Sequence, residues 1–425
     1  MWQADAMIFT DQLCAAKCSA VSCTSTGALA AEAESEVARA LVRESAVTLH
    51  LRSYYLDRTN SVAPENEAWA GGGWLGYESG WLAGLLRVGV VGYTSQPLYA
   101  PDDRDGTGLL MPGQEGYSVI GEAYGSLKVR EQVFTGYRQK VDQPEVNPLD
   151  TRMTPNTFQG YTLAGKAAGL DYFAGYLDKM KTRNADNFRD FATVAGAPAG
   201  VQEAMWLGTL GWAPVKDAAL RISSYHVPDI LTSTYGDVSW TTALAAGHKL
   251  RIAAQYMTQA STGADLLTGS SFRASAGGVT ADLTRGPATL TISYTQMARG
   301  ADYRAPYGLW AGYTSMLVED FNRAGEKAFL IGGTYDFGRW LPGFSVNVAA
   351  VLGHGAIVPA TRTAASDNTE YDITFDYRFT GGNWPKWARP LWIRLRHTRV
   401  EKELAGNTDV VSDYRAIVNY EWVFK

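Results

Sequence analysis

The sequence predicts an all-β protein, a transmembrane antiparallel β-barrel of about eighteen strands. From Tyr117 to Arg130, small apolar residues alternate with polar ones such as Glu122 and Lys128, so one face of an extended strand suits lipid and the other suits water. The longest apolar runs, such as Val88–Gly92, are far shorter than the roughly 20 residues of a spanning helix. Short and long breaks between strands also alternate, as at the two ends of an outer-membrane barrel.

The first clear strand begins at Ala46, and alternation recurs to the end of the chain. An even strand number is the rule for such barrels, and the candidates number eighteen or nineteen, so we predict eighteen. Besides the hairpin that residues 117–130 begin, the predicted strands are 46–56, 69–79, 82–94, 158–166, 170–179, 203–212, 218–226, 235–244, 248–258, 270–281, 288–298, 312–318, 327–337, 344–352, 370–379, 390–400 and 413–424.

The last two strands show the clearest alternation. Leu391, Ile393 and Leu395 would face lipid, whereas Arg394 and Arg396 would face the lumen. An arginine on the lipid face near the bilayer midplane costs ~2 to 4 kcal/mol, which favours this orientation. The closing strand places Arg415 on the lumen side in the same way.

One segment interrupts the pattern. Residues 144–156 contain three prolines and no alternation, which excludes a central strand and predicts a stiff, charged loop. Residues 1–31, which include Cys14, Cys18 and Cys23, are expected to be a degenerate signal or leader. Residues 32–425 would then form a single barrel, because no linker divides them.

Composition and motifs exclude several classes of function. The net charge of −5 gives no basic field for nucleic acid. The cysteine spacing is a poor zinc pattern, and we predict neither a metal nor a cofactor. The five histidines are scattered, and no G-x-S-x-G or H-E-x-x-H motif is present. We therefore predict that the protein is not an enzyme, although a dispersed triad in a barrel stays open as an alternative.

Several segments together resemble the OprD-type family of substrate-specific outer-membrane porins. The most specific is Asp150–Gly160, with the pattern Asp-x-Arg-x-x-Pro-x-Thr-Phe-x-Gly. Weaker matches occur in family order and bring the resemblance to roughly nine-tenths of the chain. They are residues 51–58, 76–80, 128–130, 320–322, 325–327 and 414–415.

The resemblance implies an eighteen-stranded barrel in the bacterial outer membrane, with loops folded inward to constrict the pore. Asp150 and Arg152 would lie in one such loop, at about 144–156, where they narrow the pore or pin the loop through a mutual salt bridge. The family's acidic and aromatic surface would correspond to Asp302 and Tyr303. Its ladder of basic substrate-binding residues would be Arg52, Lys128, Arg130, Arg394, Arg396 and Arg415.

The implied function is diffusion of small, mainly carboxylate-bearing solutes, such as aromatic or aliphatic acids and amino acids. The alternatives are a general diffusion porin and a barrel enzyme. The lumenal arginines could also simply balance lumenal Asp and Glu in ion pairs between strands. The expected partners are these solutes and membrane lipid, in a monomer or a weak homotrimer.

Overall fold

The structure is a computed structural model of the 425-residue chain and describes residues 36–380 and 384–425. It is a single antiparallel sheet of eighteen strands that closes on itself, because β1 pairs with both β2 and β18. The predicted fold and strand number are thus confirmed. The expected leader at 1–31 lies outside the described residues.

Each strand pairs with its neighbours in sequence, and short and long connections join them. The strands are β1 (Ala46–Asn60), β2 (Asn66–Glu78), β3 (Leu86–Tyr99), β4 (Tyr117–Val129), β5 (Gln132–Gln139), β6 (Thr157–Ala167), β7 (Leu170–Lys181), β8 (Met205–Val215), β9 (Ala218–Val227), β10 (Leu231–Ala243), β11 (His248–Ser261), β12 (Arg273–Arg285), β13 (Ala288–Met297), β14 (Lys327–Asp336), β15 (Phe344–His354), β16 (Asp367–Arg378), β17 (Leu391–Leu404) and β18 (Asn407–Phe424).

Helical structure is minor in the described part of the chain. The helix α1 (Phe191–Ala195) begins at Asp190, whose side chain caps the Thr193 amide. The short helical turns are Arg39–Arg43, Asp102–Arg104 and Ala245–Gly247. Between residues 36 and 425, leaving aside 381–383, no helix is long and apolar enough to cross a membrane.

The two faces of the strands differ as the alternation predicts. In β1, Arg52 and Tyr54 are buried on the lumen side, whereas Leu51 is half exposed on the outer surface. One detail of β4 is corrected: the β3–β4 register shifts at Gly121, which is skipped in the pairing. Beyond this bulge the phase reverses, so Ser118 lies on the outer surface, although the alternation predicted over residues 117–130 places the polar side chains on the water-facing side and Val119 on the lipid-facing side.

Two long connections fold into the barrel. We call residues 140–156 loop A and residues 298–326 loop B. Val146 of loop A and Tyr307 of loop B are fully buried in one apolar cluster with Phe158 and Phe191, so the two loops pack against each other and the wall. The predicted strand at 312–318 is wrong. These residues belong to loop B, and without them the candidates number eighteen.

Candidate functional site

A cavity of about 460 Å³ lies where loops A and B meet the barrel wall. Its charged lining comprises six arginines and two aspartates, a net charge of 6 − 2 = +4. The arginines are Arg52, Arg152, Arg221, Arg251, Arg394 and Arg396, and the aspartates are Asp150 and Asp237. Aromatic rings share the lining, so the cavity offers both positive charge and flat apolar surface.

Arg52 of β1 holds loop A against the wall. Its Nη1 donates to Asp150 Oδ1 at 2.7 Å and to the backbone oxygen of Arg152, while its Nε donates to Asn419 at 2.8 Å. Burial alone would raise the pKa of the Asp150 carboxyl, but the Arg52 guanidinium holds it below its ordinary value. Arg152 does not pair with Asp150; its Nε donates to the Thr107 oxygen at 2.7 Å.

Arg394 and Arg396 both point into the cavity from β17, but their partners differ. Arg394 forms a two-pronged ion pair with Asp376, at 2.6 and 3.0 Å, and its guanidinium carbon lies 4.4 Å from the centre of the Trp392 ring. Arg396 has no hydrogen bond or ion pair with any residue that the structure describes, and its Nε is buried without a partner. Arg396 is therefore a cavity-lining guanidinium that no described residue neutralises.

The opposite wall carries two arginines that the sequence analysis missed. Arg221 of β9 pairs with Asp237 at 2.9 Å, and Arg251 of β11 pairs with Asp282 at 3.1 Å. The alternation contained a signal for Arg221. Its neighbours Leu220 and Ile222 are apolar and face lipid, so Arg221 between them faces the lumen. Both guanidiniums are already neutralised, so they shape the cavity more than they attract anions.

Arg415 docks loop B instead of lining the cavity. It is almost fully buried, pairs with Asp413, and donates from Nη2 to the Leu317 oxygen at 3.0 Å. Glu370 of β16 accepts the neighbouring Val318 amide at 2.9 Å. A loop that leaves the membrane plane for the lumen must satisfy its backbone polar groups, and these wall side chains do so.

Lys128 and Arg130 lie away from the cavity, at the end of the barrel that holds the two-residue turns β4–β5, β6–β7, β8–β9 and β12–β13, which we call the short-turn end. Lys128 is near the end of β4, with its Nζ 5.6 Å from the centre of the Trp81 ring. Arg130 is exposed in the β4–β5 turn and has a left-handed backbone (φ 56°). The structure therefore does not bring these two residues together with Arg52, Arg394 and Arg396.

Asp302 and Tyr303 stabilise loop B. Asp302 accepts the Ala324 amide at 2.7 Å, and the buried Tyr303 hydroxyl donates to Glu145 Oε1 at 2.6 Å. Glu145 of loop A also accepts from Ser233 of β10, at 3.0 Å. This Glu145 contact, which the sequence did not reveal, joins loop A, loop B and the wall. The aromatic residues of loop B at the cavity are instead Trp310 and Tyr313.

Glu145 should make loop mobility depend on pH. Burial raises its pKa to about 7 despite two hydrogen bonds that favour the carboxylate. The pKa of Glu145 in the folded protein lies above its ordinary value of 4.5. The protonated Glu145 carboxyl therefore stabilises the loop contact fully below pH 4.5, and this stabilisation is lost as pH rises through 7. We expect a difference of up to about 3 kcal/mol in the stability of the loop contact.

Hydrogen exchange of loop A amides, corrected for intrinsic rates, tests this expectation at pH 5 and pH 8. Protection should be greater at pH 5 in the native protein and nearly constant in Glu145→Gln, which cannot titrate. Equal protection at both pH values in the native protein, or an unchanged pH dependence in the variant, would contradict the assignment.

No metal site is apparent in this region: within residues 36–380 and 384–425, no group of three His, Cys, Asp or Glu side chains is placed to hold a metal ion.

Comparisons with known proteins agree with this architecture. The crystal structure of Pseudomonas aeruginosa OccK9 (OpdG) is 22% identical and superposes with a TM-score of 0.80, covering 91% of this chain and all of that one. Pseudomonas aeruginosa OpdK with vanillate gives 19% identity and a TM-score of 0.78 over 90% of this chain and all of that one. Acinetobacter baumannii OccAB1 gives 18% and 0.79, covering 91% of this chain and 98% of that one. No curated protein sequence matches the chain.

A family model described as outer membrane porin, OprD family, matches residues 39–424. That range begins before β1 and ends at the last residue of β18, so it contains every strand of the barrel as well as loops A and B. The chain therefore belongs to the OprD family of outer membrane porins.

Proposed function

We propose that this porin conducts small carboxylates, including aromatic and aliphatic acids and amino acids, through the cavity between loops A and B. The observation that carries the proposal is Arg396, a guanidinium in the lining with no partner among the described residues. Guanidinium is planar and charged at any relevant pH, and its donors match the two oxygens of a carboxylate.

The surrounding charges keep the interaction weak enough for transport. Arg52 and Arg394 carry ion pairs with Asp150 and Asp376, so a carboxylate that reaches them meets a partly neutralised site. A wetted ion pair contributes ~0 to 1 kcal/mol, which permits release as well as binding. Several weak sites in series satisfy the requirement of conduction that a solute enter and leave.

Aromatic rings in the lining favour acids that carry an apolar body. Tyr313 and Trp392, which are partly exposed, border the same cavity as Arg396, whereas Tyr54 and Trp310 in that lining are almost fully buried. A flat ring can stack on such side chains while its carboxylate faces the guanidinium. The solved structure of OpdK with vanillate, a carboxylate with an aromatic ring, is consistent with this combination.

The other members of the predicted ladder receive different proposed roles. We assign Arg415, Asp302 and Tyr303 to holding loop B, and Arg52 with Asp150 to holding loop A. Lys128 and Arg130 would add positive charge at the short-turn end of the barrel. Each barrel contains a complete cavity, so the proposal requires no neighbouring subunit and fits a monomer or a weak homotrimer.

Swelling of proteoliposomes in isosmotic solutions tests the proposal. With the native protein we expect benzoate to enter several-fold faster than a neutral pentose, and its rate to saturate with concentration. Protein-free liposomes correct for passive leak. Rates that follow solute size alone, without saturation, would instead identify a general diffusion pore.

A further inference from the structure

The two connections β14–β15 and β16–β17 expose an unusual amount of aromatic surface at the short-turn end of the barrel. Trp340 and Trp387 are 65% and 64% exposed, more than any other exposed tryptophan of the described residues, and Leu341 is 45% exposed. Trp384 lies on the same connection as Trp387 and is also exposed. Exposed apolar patches of this kind mark contacts with protein or membrane.

Three basic side chains lie on the same two connections as these tryptophans. Arg339, Lys386 and Arg389 are exposed, and none of them forms an ion pair with a described residue. The sequence contains no Asp or Glu from Phe337 to Gly343 or from Phe379 to Pro390. Asp336 immediately precedes the first connection, and its Oδ1 accepts the Gly338 amide at 2.7 Å. The surface is therefore locally basic in a protein whose net charge is −5.

The outer wall joins the two connections into one surface. The Tyr335 ring lies 5.9 Å from that of Trp340, Phe344 lies 6.4 Å from Phe375, and Phe379 lies 4.8 Å from Trp384. The backbone is joined as well, since the Arg378 amide donates to the Gly343 oxygen at 2.9 Å. We call Arg339, Trp340, Leu341, Trp384, Lys386, Trp387 and Arg389 the basic rim.

We propose that the basic rim binds the head groups of anionic phospholipids in the leaflet at the short-turn end. Tryptophan rings lie at the level of the head groups in membrane proteins, which sets the depth of Trp340 and Trp387. Basic side chains next to them attract anionic lipid head groups at the membrane surface. Charge complementarity thus selects a phosphate-bearing head group with a net negative charge over a zwitterionic one.

Native mass spectrometry of the full chain, with phosphatidylglycerol or phosphatidylcholine added to the detergent, tests the proposal. The native protein should bind phosphatidylglycerol several-fold more tightly, and this preference should weaken as salt is raised. The variant Arg339→Gln/Lys386→Gln/Arg389→Gln should lose most of the preference. The control Lys216→Gln/Lys249→Gln/Arg285→Gln removes three exposed cations that lie at the same end of the barrel but outside the basic rim, and it should keep the preference.

Equal binding of the two lipids by the native protein, or equal loss in both variants, would overturn the proposal. Binding of a soluble periplasmic protein in place of lipid would do so as well. The variant Arg339→Gln/Lys386→Gln/Arg389→Gln should retain native single-channel conductance, which shows that its barrel is folded. Failure of this proposal therefore leaves the carboxylate assignment untouched, because the cavity and the basic rim share no residue.

Discussion

Replacing residues 311–317 by two glycines should raise the single-channel conductance several-fold. These residues form the part of loop B that projects into the cavity, including Tyr313, Met316 and Leu317. They lie outside the eighteen strands, so their loss leaves the pairing of the barrel intact. The conductance of a pore rises with the cross-section of its narrowest segment. Replacing residues 311–317 removes the loop B side of that segment.

A second loop of the same end supplies the control. Residues 358–363 lie between β15 and β16 and do not line the cavity, so their replacement by two glycines should leave conductance within the native range. Heat-modifiable mobility in gel electrophoresis verifies that both variants are folded. An unchanged conductance in the loop B variant would show that another part of the pore limits the current.

The strand alternation made the barrel predictable from the sequence. In β17, Leu395 is half exposed on the outer surface, while Arg394 and Arg396 line the lumen, as the period of two requires. The closing strand behaves in the same way, with Arg415 buried and Tyr414 exposed. Lipid and water impose this separation residue by residue, so the pattern is local and can be read without tertiary contacts.

Loop B was not predictable in the same way. Its residues 312–318 carry apolar and polar side chains that mimic a short strand, but their environment is set by distant groups such as Arg415 and Glu370. The Glu145–Tyr303 contact joins residues 158 positions apart and leaves no local pattern. For the same reason the sequence did not show which arginines form ion pairs. Arg394 and Arg396 occupy equivalent positions in the alternation, yet only Arg394 pairs with a carboxylate among the described residues.

Replacing both Arg394 and Arg396 by alanine should greatly reduce the preference of the channel for anions. The formal charge of the cavity lining falls from +4 to 4 − 2 = +2, and Asp376 loses its ion pair with Arg394. The released carboxylate then repels anions beside the cavity, so the effect exceeds the loss of two charges alone. The change to alanine also removes the Arg394 contact with the Trp392 ring, which widens the site slightly.

Arg130 provides a matched control for this pair. The Arg130→Gln variant removes a guanidinium from the exposed β4–β5 turn, outside the cavity. It should change ion preference only slightly and only at low ionic strength, because an exposed charge is screened within about 10 Å at 0.1 M salt.

The reversal potential under a tenfold gradient of potassium benzoate across a planar bilayer tests the role of the cavity arginines most directly. The native channel should give a potential of the sign set by benzoate permeation, and Arg394→Ala/Arg396→Ala should shift it towards the potassium equilibrium potential, with Arg130→Gln close to native. If the double variant kept the native reversal potential, the guanidiniums at the constriction would not select the permeating anion.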